Sequence, residues 1–297
     1  MLDTSSQASR RVWLVTGSSR GFGRELVKAA LDHGDFVVAT ARQPHTLDDL
    51  SERYGLERLL PVALDVTDAE SARSAVTQAI KNFGRLDVVV NNAGYADSAP
   101  IEEMSEHEFR AQIETNLFGV VNVSRAALPV LRSQRSGLFF QFSSVGGRVG
   151  GTPGLGAYQA AKFAVEGFSE VLANEVKPFG VRVVIVEPGA FRTDWQGSSM
   201  VMHQVESDYE ATVGAIHAFR RESQGHQAGD PARAAQILVD LAGREVVPLR
   251  LPLGSAAVDQ ILANERNRIA ETTEWAEVSR AADFPSNDQI ATETLRS

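Results

Sequence analysis

The fold is indicated by residues 12–33, which read VWLVTGSSRGFGRELVKAALDH. The stretch opens with Val12–Thr16, an apolar run of strand length, and continues with Phe22–His33, which has helical period. Apolar residues of that helix form a stripe that can lie on a sheet: Leu26, Val27, Ala30 and Leu31. Gly34 then ends the helix. The stretch therefore predicts a strand, a glycine-rich turn and a helix.

The same alternation continues along the chain. Further apolar runs predict strands at Phe36–Ala41, Leu59–Leu64, Leu86–Val90, Leu138–Phe142, Val181–Val186 and Val246–Leu251. Segments of helical period predict helices at Leu47–Tyr54, Ala69–Phe83, Glu106–Gln134, Ala157–Phe179 and Pro231–Ala242. Runs that are apolar on both faces are typical of parallel strands covered by helices. We therefore expect an α/β fold, a doubly wound Rossmann-type parallel sheet of about seven strands flanked by helices.

The chain of 297 residues predicts one domain over 1–297, because no repeat or linker separates a second one. Within it we expect a flexible tail at 1–10 and a helical C-terminal extension at 254–297. The segment from Gly189 to Gly229 is predicted to be irregular and too long for an ordinary connection. We interpret its residues 190–229 as a lid or loop over the substrate.

Composition excludes several classes of protein. Without cysteine there is no disulfide, thiolate metal site or cysteine nucleophile. A formal charge of -9 argues against nucleic-acid and anionic-membrane partners. No stretch approaches the ~18 apolar residues that cross a bilayer, and the first residues lack the apolar core of a signal peptide, so we expect a cytoplasmic protein. The six histidines share no metal-ligand spacing, and no metal site is expected.

The turn Thr16-Gly17-Ser18-Ser19-Arg20-Gly21-Phe22-Gly23 has the features of a phosphate-binding loop. Glycines at this point let the backbone approach a pyrophosphate, which then sits on the N-terminus of the helix. The spacing Gly-x-x-x-Gly-x-Gly is a variant of the commoner Gly-x-Gly-x-x-Gly. A purely structural turn is the alternative interpretation.

The end of the second strand indicates which dinucleotide is bound. Sites for NAD usually present a carboxylate to the ribose 2′-hydroxyl at this point, whereas this chain reads Ala39-Thr40-Ala41-Arg42. Arg42 and Arg20 could form a cationic fork for a 2′-phosphate. The sequence therefore favours NADP, with NAD possible, and the alternative is two solvated surface arginines.

Tyr158 and Lys162 lie four residues apart, so on a helix their side chains share a face. A lysine near a tyrosine favours the phenolate and brings the pKa of the phenol toward the working pH, as a general acid or base requires. Ser143 and Ser144 end the fifth predicted strand of the sheet, where a hydroxyl can meet that tyrosine. For the Tyr-x-x-x-Lys pattern alone, surface packing is the alternative.

In order and spacing, the motifs resemble the short-chain dehydrogenase/reductase family, in its compact single-domain branch. The resemblance covers residues 12 to about 195, and its motifs are Thr16 to Gly23, Leu64-Asp65-Val66, Asn91-Asn92-Ala93-Gly94, Asn116, Ser143-Ser144, Tyr158 with Lys162, and Pro188-Gly189 with Thr193. Departures from the family pattern are Phe22 in the glycine motif, Gln141 before the serines, the tail after Gly254, and a Ser144-to-Tyr158 spacing one residue longer than usual.

The resemblance implies that Tyr158 is the acid–base residue and that Ser144, rather than Ser143, hydrogen-bonds the substrate oxygen. It implies further that Lys162 holds the nicotinamide ribose and tunes Tyr158, and that Asn116 supports a proton-relaying water. The implied cofactor-binding residues are Gly17, Ser19, Arg20, Gly21, Phe22, Gly23, Arg42, Asp65, Val66, Asn92, Ala93, Gly94, Tyr158, Lys162, Pro188, Gly189 and Thr193.

We therefore expect an NADP(H)-dependent oxidoreductase (EC 1.1.1.-) that interconverts a carbonyl and an alcohol on a small to medium, mostly apolar substrate. Trp195, Met200, Val201 and Met202 are candidates for an apolar wall. The alternatives are an NAD-dependent alcohol dehydrogenase of the same family and a catalytically silent NADP-sensing binding protein; the glycine spacing disfavours a carbohydrate epimerase. The resemblance also implies a homodimer or homotetramer that pairs through the two longest predicted helices.

Overall fold

The computed structural model describes residues 10–196 and 199–284. Its strands are β1 Val12–Val15, β2 Phe36–Ala41, β3 Leu59–Ala63, β4 Val88–Asn91, β5 Ala96–Ser98, β6 Gly137–Phe142, β7 Val181–Pro188, β8 Met200–Met202 and β9 Arg250–Leu253. Seven of them form one parallel sheet in the order β3-β2-β1-β4-β6-β7-β9. The predicted doubly wound Rossmann-type fold is confirmed.

The helices cover both faces of the sheet. They are α1 Gly21–Asp32, α2 Asp48–Tyr54, α3 Ala69–Phe83, α4 Glu106–Ile113, α5 Gly119–Gln134, α6 Gly156–Val176, α7 Ala215–Ser223, α8 Pro231–Ala242, α9 Ser255–Glu274 and α10 Ala276–Arg280. One apolar core lies between the sheet and α1, α2 and α8, and a second lies between the sheet and α3, α5 and α6. Successive residues of β1 alternate between them, with Trp13 in the first core and Leu14 in the second.

A crevice for a ligand is created where the strand order reverses. The chain runs from β1 outward through β2 to β3, and then returns to β4 on the other side of β1. In open α/β sheets ligands bind at this point, beyond the carboxyl ends of the strands. Here the hydroxyl of Thr16, after β1, accepts hydrogen bonds from the backbone N–H groups of Asn92 and Ala93, after β4, at 2.9 and 3.0 Å.

One predicted helix is divided in the structure. Residues Glu106–Gln134 form α4, one π-helical turn at Glu114–Phe118, and α5. Asn116 lies in that turn, and its side-chain Nδ2 donates to the carbonyl oxygen of Gln112 at 2.9 Å. The side chain thus binds a carbonyl that the helix backbone would otherwise use. Single π turns of this kind are frequent at functional sites.

Other expectations also differ from the structure. The last strand runs over Arg250–Leu253 instead of Val246–Leu251 because Pro248 has no N–H for the strand ladder, and Val246 is 82% exposed. The segment from Gly189 to Gly229, predicted to be irregular, contains β8, which pairs with β5, and the helix α7. Two buried side chains of α7, His217 and Arg220, anchor that helix.

The chain divides after Val258 into two compact units, the second beginning at Asp259. The described part of the second unit, residues 259–284, contains the rest of α9 and all of α10. The organisation as a single domain over 1–297 stays a prediction, as does the tail at 1–10, of which only residue 10 is described. Among the helices of the described ranges, none is long and apolar enough to cross a membrane.

Candidate active site

The glycine turn brings α1 unusually close to β1. Gly17 has a φ of +69°, which side chains rarely adopt, and a Cβ atom at Gly23 would lie 2.2 Å from the carbonyl oxygen of Gly17. Both positions therefore require glycine, one for its backbone conformation and the other for close packing. Gly21 also has a positive φ, +55°, but a Cβ there would meet nothing closer than Thr193 at 3.7 Å.

The N-terminus of α1 is available to an anion. Within the described chain, no side chain caps this helix and its first turn holds no acidic residue. The first N–H groups of a helix need acceptors, and the helix dipole favours negative charge there. Because Gly21 and Phe22 line the neighbouring cavity, a pyrophosphate fits this place without displacing a protein group.

The cavity at the switch point has a volume of about 460 Å³. Its wall includes these predicted cofactor residues: Gly17, Ser19, Arg20, Gly21, Phe22, Arg42, Asp65, Val66, Asn92, Ala93, Gly94 and Thr193. In the described ranges the wall does not include Gly23, Tyr158, Lys162, Pro188 or Gly189. Gly189 instead donates its N–H to the carbonyl oxygen of Leu253 at 3.0 Å, which joins β7 to β9.

Asn91 and Asn92, at the end of β4, make different hydrogen bonds within the protein. Asn91 is buried and donates to Ser124 and Gln141, which explains the glutamine before the serines as part of a buried amide–hydroxyl network. Asn92 donates to the carbonyl oxygens of Thr16 and Gly17, at 2.9 and 3.2 Å, and so holds the glycine turn against β4.

Phe22, the aromatic departure in the glycine motif, fills a space that a smaller residue would leave empty. Its ring packs against those of Phe142 and Phe191, with centroid distances of 5.5 and 4.8 Å. Asp65 accepts hydrogen bonds from the N–H and hydroxyl of Thr67. The N-cap of α3 is Asp68, so Asp65 does not cap that helix.

The structure brings Tyr158, Ser144 and Lys162 together on and beside α6. The Ser144 side chain acts on the Tyr158 hydroxyl and opposes the rise in the pKa of Tyr158. Lys162 lies on the same helix face with its Nζ atom 5.6 Å from the centre of the tyrosine ring. That ammonium donates to the carbonyl oxygen of Phe142, at the end of β6, at 2.8 Å.

Burial controls the ionisation of this pair. Tyr158 is 6% exposed, and burial raises the pKa of its hydroxyl to about 12. Lys162 is 4% exposed, and burial lowers the pKa of its ammonium to about 8. The sequence predicted that Lys162 would lower the pKa of Tyr158; here desolvation of the phenolate dominates, and the opposing influences are Ser144 and the charge of Arg220.

The two serines point in different directions. The Ser143 hydroxyl is oriented toward the carbonyl oxygen of Lys162, at 3.4 Å, and a Cβ on Gly147 would lie 2.4 Å from it. The Ser144 hydroxyl faces Tyr158 and also accepts the N–H of Gly146 at 3.1 Å. This geometry favours Ser144 over Ser143 as the residue beside the phenol.

Asn116 is fully buried next to these groups. Its Nδ2 donates to the carbonyl oxygens of Tyr95 and Gln112, both at 2.9 Å, and its Oδ1 accepts the N–H of Tyr95. Gly94 separates it from Lys162, since a Cβ there would lie 2.5 Å from the Asn116 Oδ1 and 3.7 Å from the Lys162 Nζ. Gly94 also lines the cavity, so Asn116 and Lys162 lie directly behind the cavity wall.

An apolar cluster surrounds the phenol ring of Tyr158. Its members are Ala96, Leu155, Tyr158 and Met200, with Trp195 and Met202 packed against them. The rings of Tyr158 and Trp195 lie 5.3 Å apart. Of the four residues expected to form an apolar wall, Val201 alone is clearly outside the cluster, being 55% exposed, although it lines the cavity.

Sequence reasoning missed Arg220. This arginine of α7 is 6% exposed, and its positive charge acts on Tyr158. The one available signal was the three-residue spacing of His217 and Arg220, which places both on one face of a helix. That signal could not be used because the segment was predicted to be irregular.

The family described as short chain dehydrogenase matches residues 11–203. The chain is 48% identical over 272 residues to the oxidoreductase BOA17 of Botryotinia fuckeliana, covering 92% of this chain and 99% of that protein. It is 37% identical over 247 residues to a 3-ketodihydrosphingosine reductase of Bacteroides thetaiotaomicron, covering 82% of this chain and 88% of that protein. A solved structure of a short-chain dehydrogenase from Streptomyces avermitilis superposes with a TM-score of 0.86 and 42% identity, covering 93% of this chain and all of that one.

The fold, the glycine turn and these matches define the class: the chain belongs to the short-chain dehydrogenase/reductase family. It is an NAD(P)-dependent oxidoreductase.

Proposed function

We propose that the protein is an NADP(H)-dependent oxidoreductase that interconverts a carbonyl and an alcohol on a small to medium, mostly apolar substrate. The observation that carries this proposal is the buried Tyr158 with Lys162 5.6 Å from its ring and Ser144 acting on its hydroxyl, beside the cavity at the switch point. The name of the Bacteroides relative, a reductase of a keto compound, is consistent with it.

When bound, the nicotinamide supplies the hydride that moves between its C4 atom and the carbonyl carbon. In reduction the Tyr158 hydroxyl donates its proton to the substrate oxygen as negative charge develops there. The pKa of about 12 keeps that proton on Tyr158 at neutral pH, so the residue is ready as the acid. The Ser144 hydroxyl donates a hydrogen bond to the same oxygen and stabilises its charge.

Lys162 and Asn116 complete the proposed site. With its pKa lowered to about 8, the Lys162 ammonium can exchange a proton near physiological pH. Asn116 accepts one hydrogen bond at Oδ1, and a carbonyl oxygen has two lone pairs, so a water can bind the second and return protons toward Lys162.

NADP is the proposed cofactor because two arginines, one in the glycine turn and one after β2, place positive charge on the cavity wall. Arg42 and Arg20 both line the cavity and are exposed, as a fork for a 2′-phosphate requires. Two acidic residues, Asp65 and Asp194, line the same wall, and the alternative is an NAD-dependent alcohol dehydrogenase of the same family.

The proposed function is tested with purified protein by binding NADPH and NADH, followed by NADPH oxidation against a panel of ketones, aldehydes and quinones. We expect preference for NADPH and turnover that Tyr158→Phe reduces by about 10²- to 10⁴-fold without weakening NADPH binding. Near wild-type turnover of Tyr158→Phe would overturn the acid–base role. Tight NADPH binding without turnover on any carbonyl would favour the sensing protein.

Cofactor choice needs its own variant. Arg42→Ala should raise KM for NADPH by about 10- to 100-fold and leave that for NADH unchanged, since one charge-assisted bond is lost. Arg132→Ala, at an exposed arginine of α5 that does not line the cavity, is the matched control. Equal effects on the two nucleotides, or none, would favour the NAD-dependent alternative.

We also propose a homodimer or homotetramer, since relatives in this family pair through the corresponding long helices. Phe118, Phe163 and Val171 are 44%, 38% and 58% exposed near and along α5 and α6, where a second chain would cover them. Light scattering that gives one species of 32.1 kDa would exclude both assemblies. The cytoplasmic location stays a prediction from the sequence.

A further inference from the structure

Helix α7 carries a buried cation, Arg220, whose charge acts on the Tyr158 hydroxyl. Arg220 and His217 lie on the inner face of this helix, 6% and 2% exposed, whereas Phe219 between them is 64% exposed. Both inner side chains meet the hydroxyl of Ser98, which ends β5: the Arg220 Nη1 donates to it at 3.0 Å, and the His217 Nε2 lies 2.8 Å from it. The guanidinium is therefore held in one place.

The charge of Arg220 has no acidic partner among residues 10–196 and 199–284. A guanidinium carries five N–H donors, and the one hydrogen bond that Arg220 makes there is to a neutral hydroxyl. His217 does not supply an anion; burial and the charges of Arg220 and Arg221 lower its pKa, which keeps it neutral. Buried charges in proteins are normally paired, so a solitary buried arginine indicates an anionic partner from outside the chain.

Tyr158 is not that partner. Burial raises the pKa of its hydroxyl to about 12, so it is neutral at physiological pH. The two groups nevertheless act on each other's ionisation. The geometry links them as well: Ser98, which accepts a hydrogen bond from Arg220, lies on β5 two residues after Ala96, and Ala96 belongs to the apolar cluster around the Tyr158 ring.

We propose that Arg220 is a specificity-determining residue that binds a carboxylate of the substrate, so the preferred substrates are aliphatic oxo acids and the corresponding hydroxy acids. The apolar cluster takes the hydrocarbon chain, and Arg220 takes the acid group. Ser98 and His217 are positioning residues that hold the guanidinium. The inference rests on the proposed function, because it needs Tyr158 to bind the reacting oxygen.

The residues around Ser98, which accepts the hydrogen bond from Arg220, are tightly packed. Gly154, after β6, has a φ of +80°, and a Cβ there would lie 2.8 Å from both the Ser98 hydroxyl and Val213. Ser98 itself is fully buried, and its carbonyl oxygen accepts the N–H of His203 at 3.0 Å. The residue that orients Arg220 is therefore buried and tightly packed.

The test compares decanoic acids that carry one oxo group at positions 4 to 8 with their methyl esters, using NADPH and the full chain. For at least one position the wild-type protein should favour the acid. Arg220→Met should lower kcat/KM for that acid by about 30- to 100-fold, mainly through KM, and that for the ester by less than about fivefold. Arg221→Met, the exposed neighbour on the same helix, is the matched control and should leave both unchanged.

Arg220→Lys keeps the positive charge and serves as a second variant in case Arg220→Met does not fold. It should retain part of the acid preference, whereas equal losses on acid and ester in both variants would overturn the proposal and assign Arg220 to Tyr158 or to the fold. Calorimetry gives a readout without turnover: decanoate should bind the NADP-saturated wild-type protein and decanamide should not, and Arg220→Met should remove the difference.

The two proposals fail in different ways. Tyr158-dependent reduction of the esters or other ketones, with no acid preferred at any position, would overturn the role of Arg220 and leave the proposed function standing. Absence of any Tyr158-dependent turnover would overturn the proposed function and this inference with it.

Discussion

The Nζ atom of Lys162 lies 5.6 Å from the centre of the Tyr158 ring, and both side chains are almost fully buried. Burial disfavours the charged form of each, so it raises the pKa of the phenol to about 12 and lowers the pKa of the ammonium to about 8. Below about pH 8 the folded protein therefore carries a buried positive charge on Lys162, which lowers the free energy of unfolding.

This charge predicts a pH dependence of stability. An unfolded lysine has a pKa near 10.5, so between about pH 8 and 10.5 the unfolded chain binds more protons at Lys162 than the folded one. The free energy of unfolding should rise over that window relative to Lys162→Met, by on the order of 2–3 kcal/mol. The measurement is denaturant unfolding of both proteins at a series of pH values. Parallel curves for the two would contradict the buried charge.

The space around two helical glycines predicts opposite effects of the same substitution, one in α1 and one in α6. Gly23→Ala places a methyl group 2.2 Å from the carbonyl oxygen of Gly17, so the turn must move and NADPH binding should weaken by at least about tenfold. Gly167→Ala lies in α6, where a Cβ meets nothing within 4 Å, and should stabilise the protein by about 0.5–1 kcal/mol.

Thermal unfolding and nucleotide fluorescence check both variants. A Gly23→Ala protein that binds NADPH as the wild type does would show that the turn can relax, and that the glycine spacing is not required for the site.

The sequence predicted the sheet well because apolar periodicity reflects burial directly. It could not predict where side chains replace backbone partners. Leu86 was expected in a strand, but its N–H and carbonyl oxygen bond the side chain of Gln134, so β4 begins two residues later at Val88. Asn116 interrupts a predicted helix for the same kind of reason.

For the candidate site, motif order predicted which side chains come together, and Ser144, Tyr158 and Lys162 do so. It could not predict their protonation, which depends on burial that only the folded chain creates. Arg220 escaped prediction because its role depends on the contact with Ser98, 122 positions earlier in the chain.

The buried carboxylate of Asp35 is predicted to stabilise the start of the first strand. Asp35 is 2% exposed and accepts hydrogen bonds from the Arg11 backbone and guanidinium, both at 3.0 Å, and from the Trp13 indole at 2.8 Å. Asp35→Ala leaves those donors unpaired and should cost about 3–5 kcal/mol of unfolding free energy. Glu277→Ala removes an ion pair at a 90% exposed glutamate and should change it by less than about 0.5 kcal/mol. Similar losses in the two variants would contradict this account.

The orientation of the two serines predicts a sharp difference between them. The Ser144 hydroxyl contacts the Tyr158 phenol, so Ser144→Ala removes a donor from the developing oxyanion and should lower kcat by about 10²-fold. The Ser143 hydroxyl is turned toward the Lys162 carbonyl at a weak 3.4 Å, and Ser143→Ala should lower kcat by less than about fivefold.

Steady-state kinetics on one ketone, with NADPH affinity measured separately, distinguishes the two roles of these serines. Both variants should bind NADPH as the wild type does, because neither hydroxyl lines the cavity in the described chain. A larger loss for Ser143→Ala than for Ser144→Ala would contradict the assignment of Ser144 as the serine that binds the reacting oxygen.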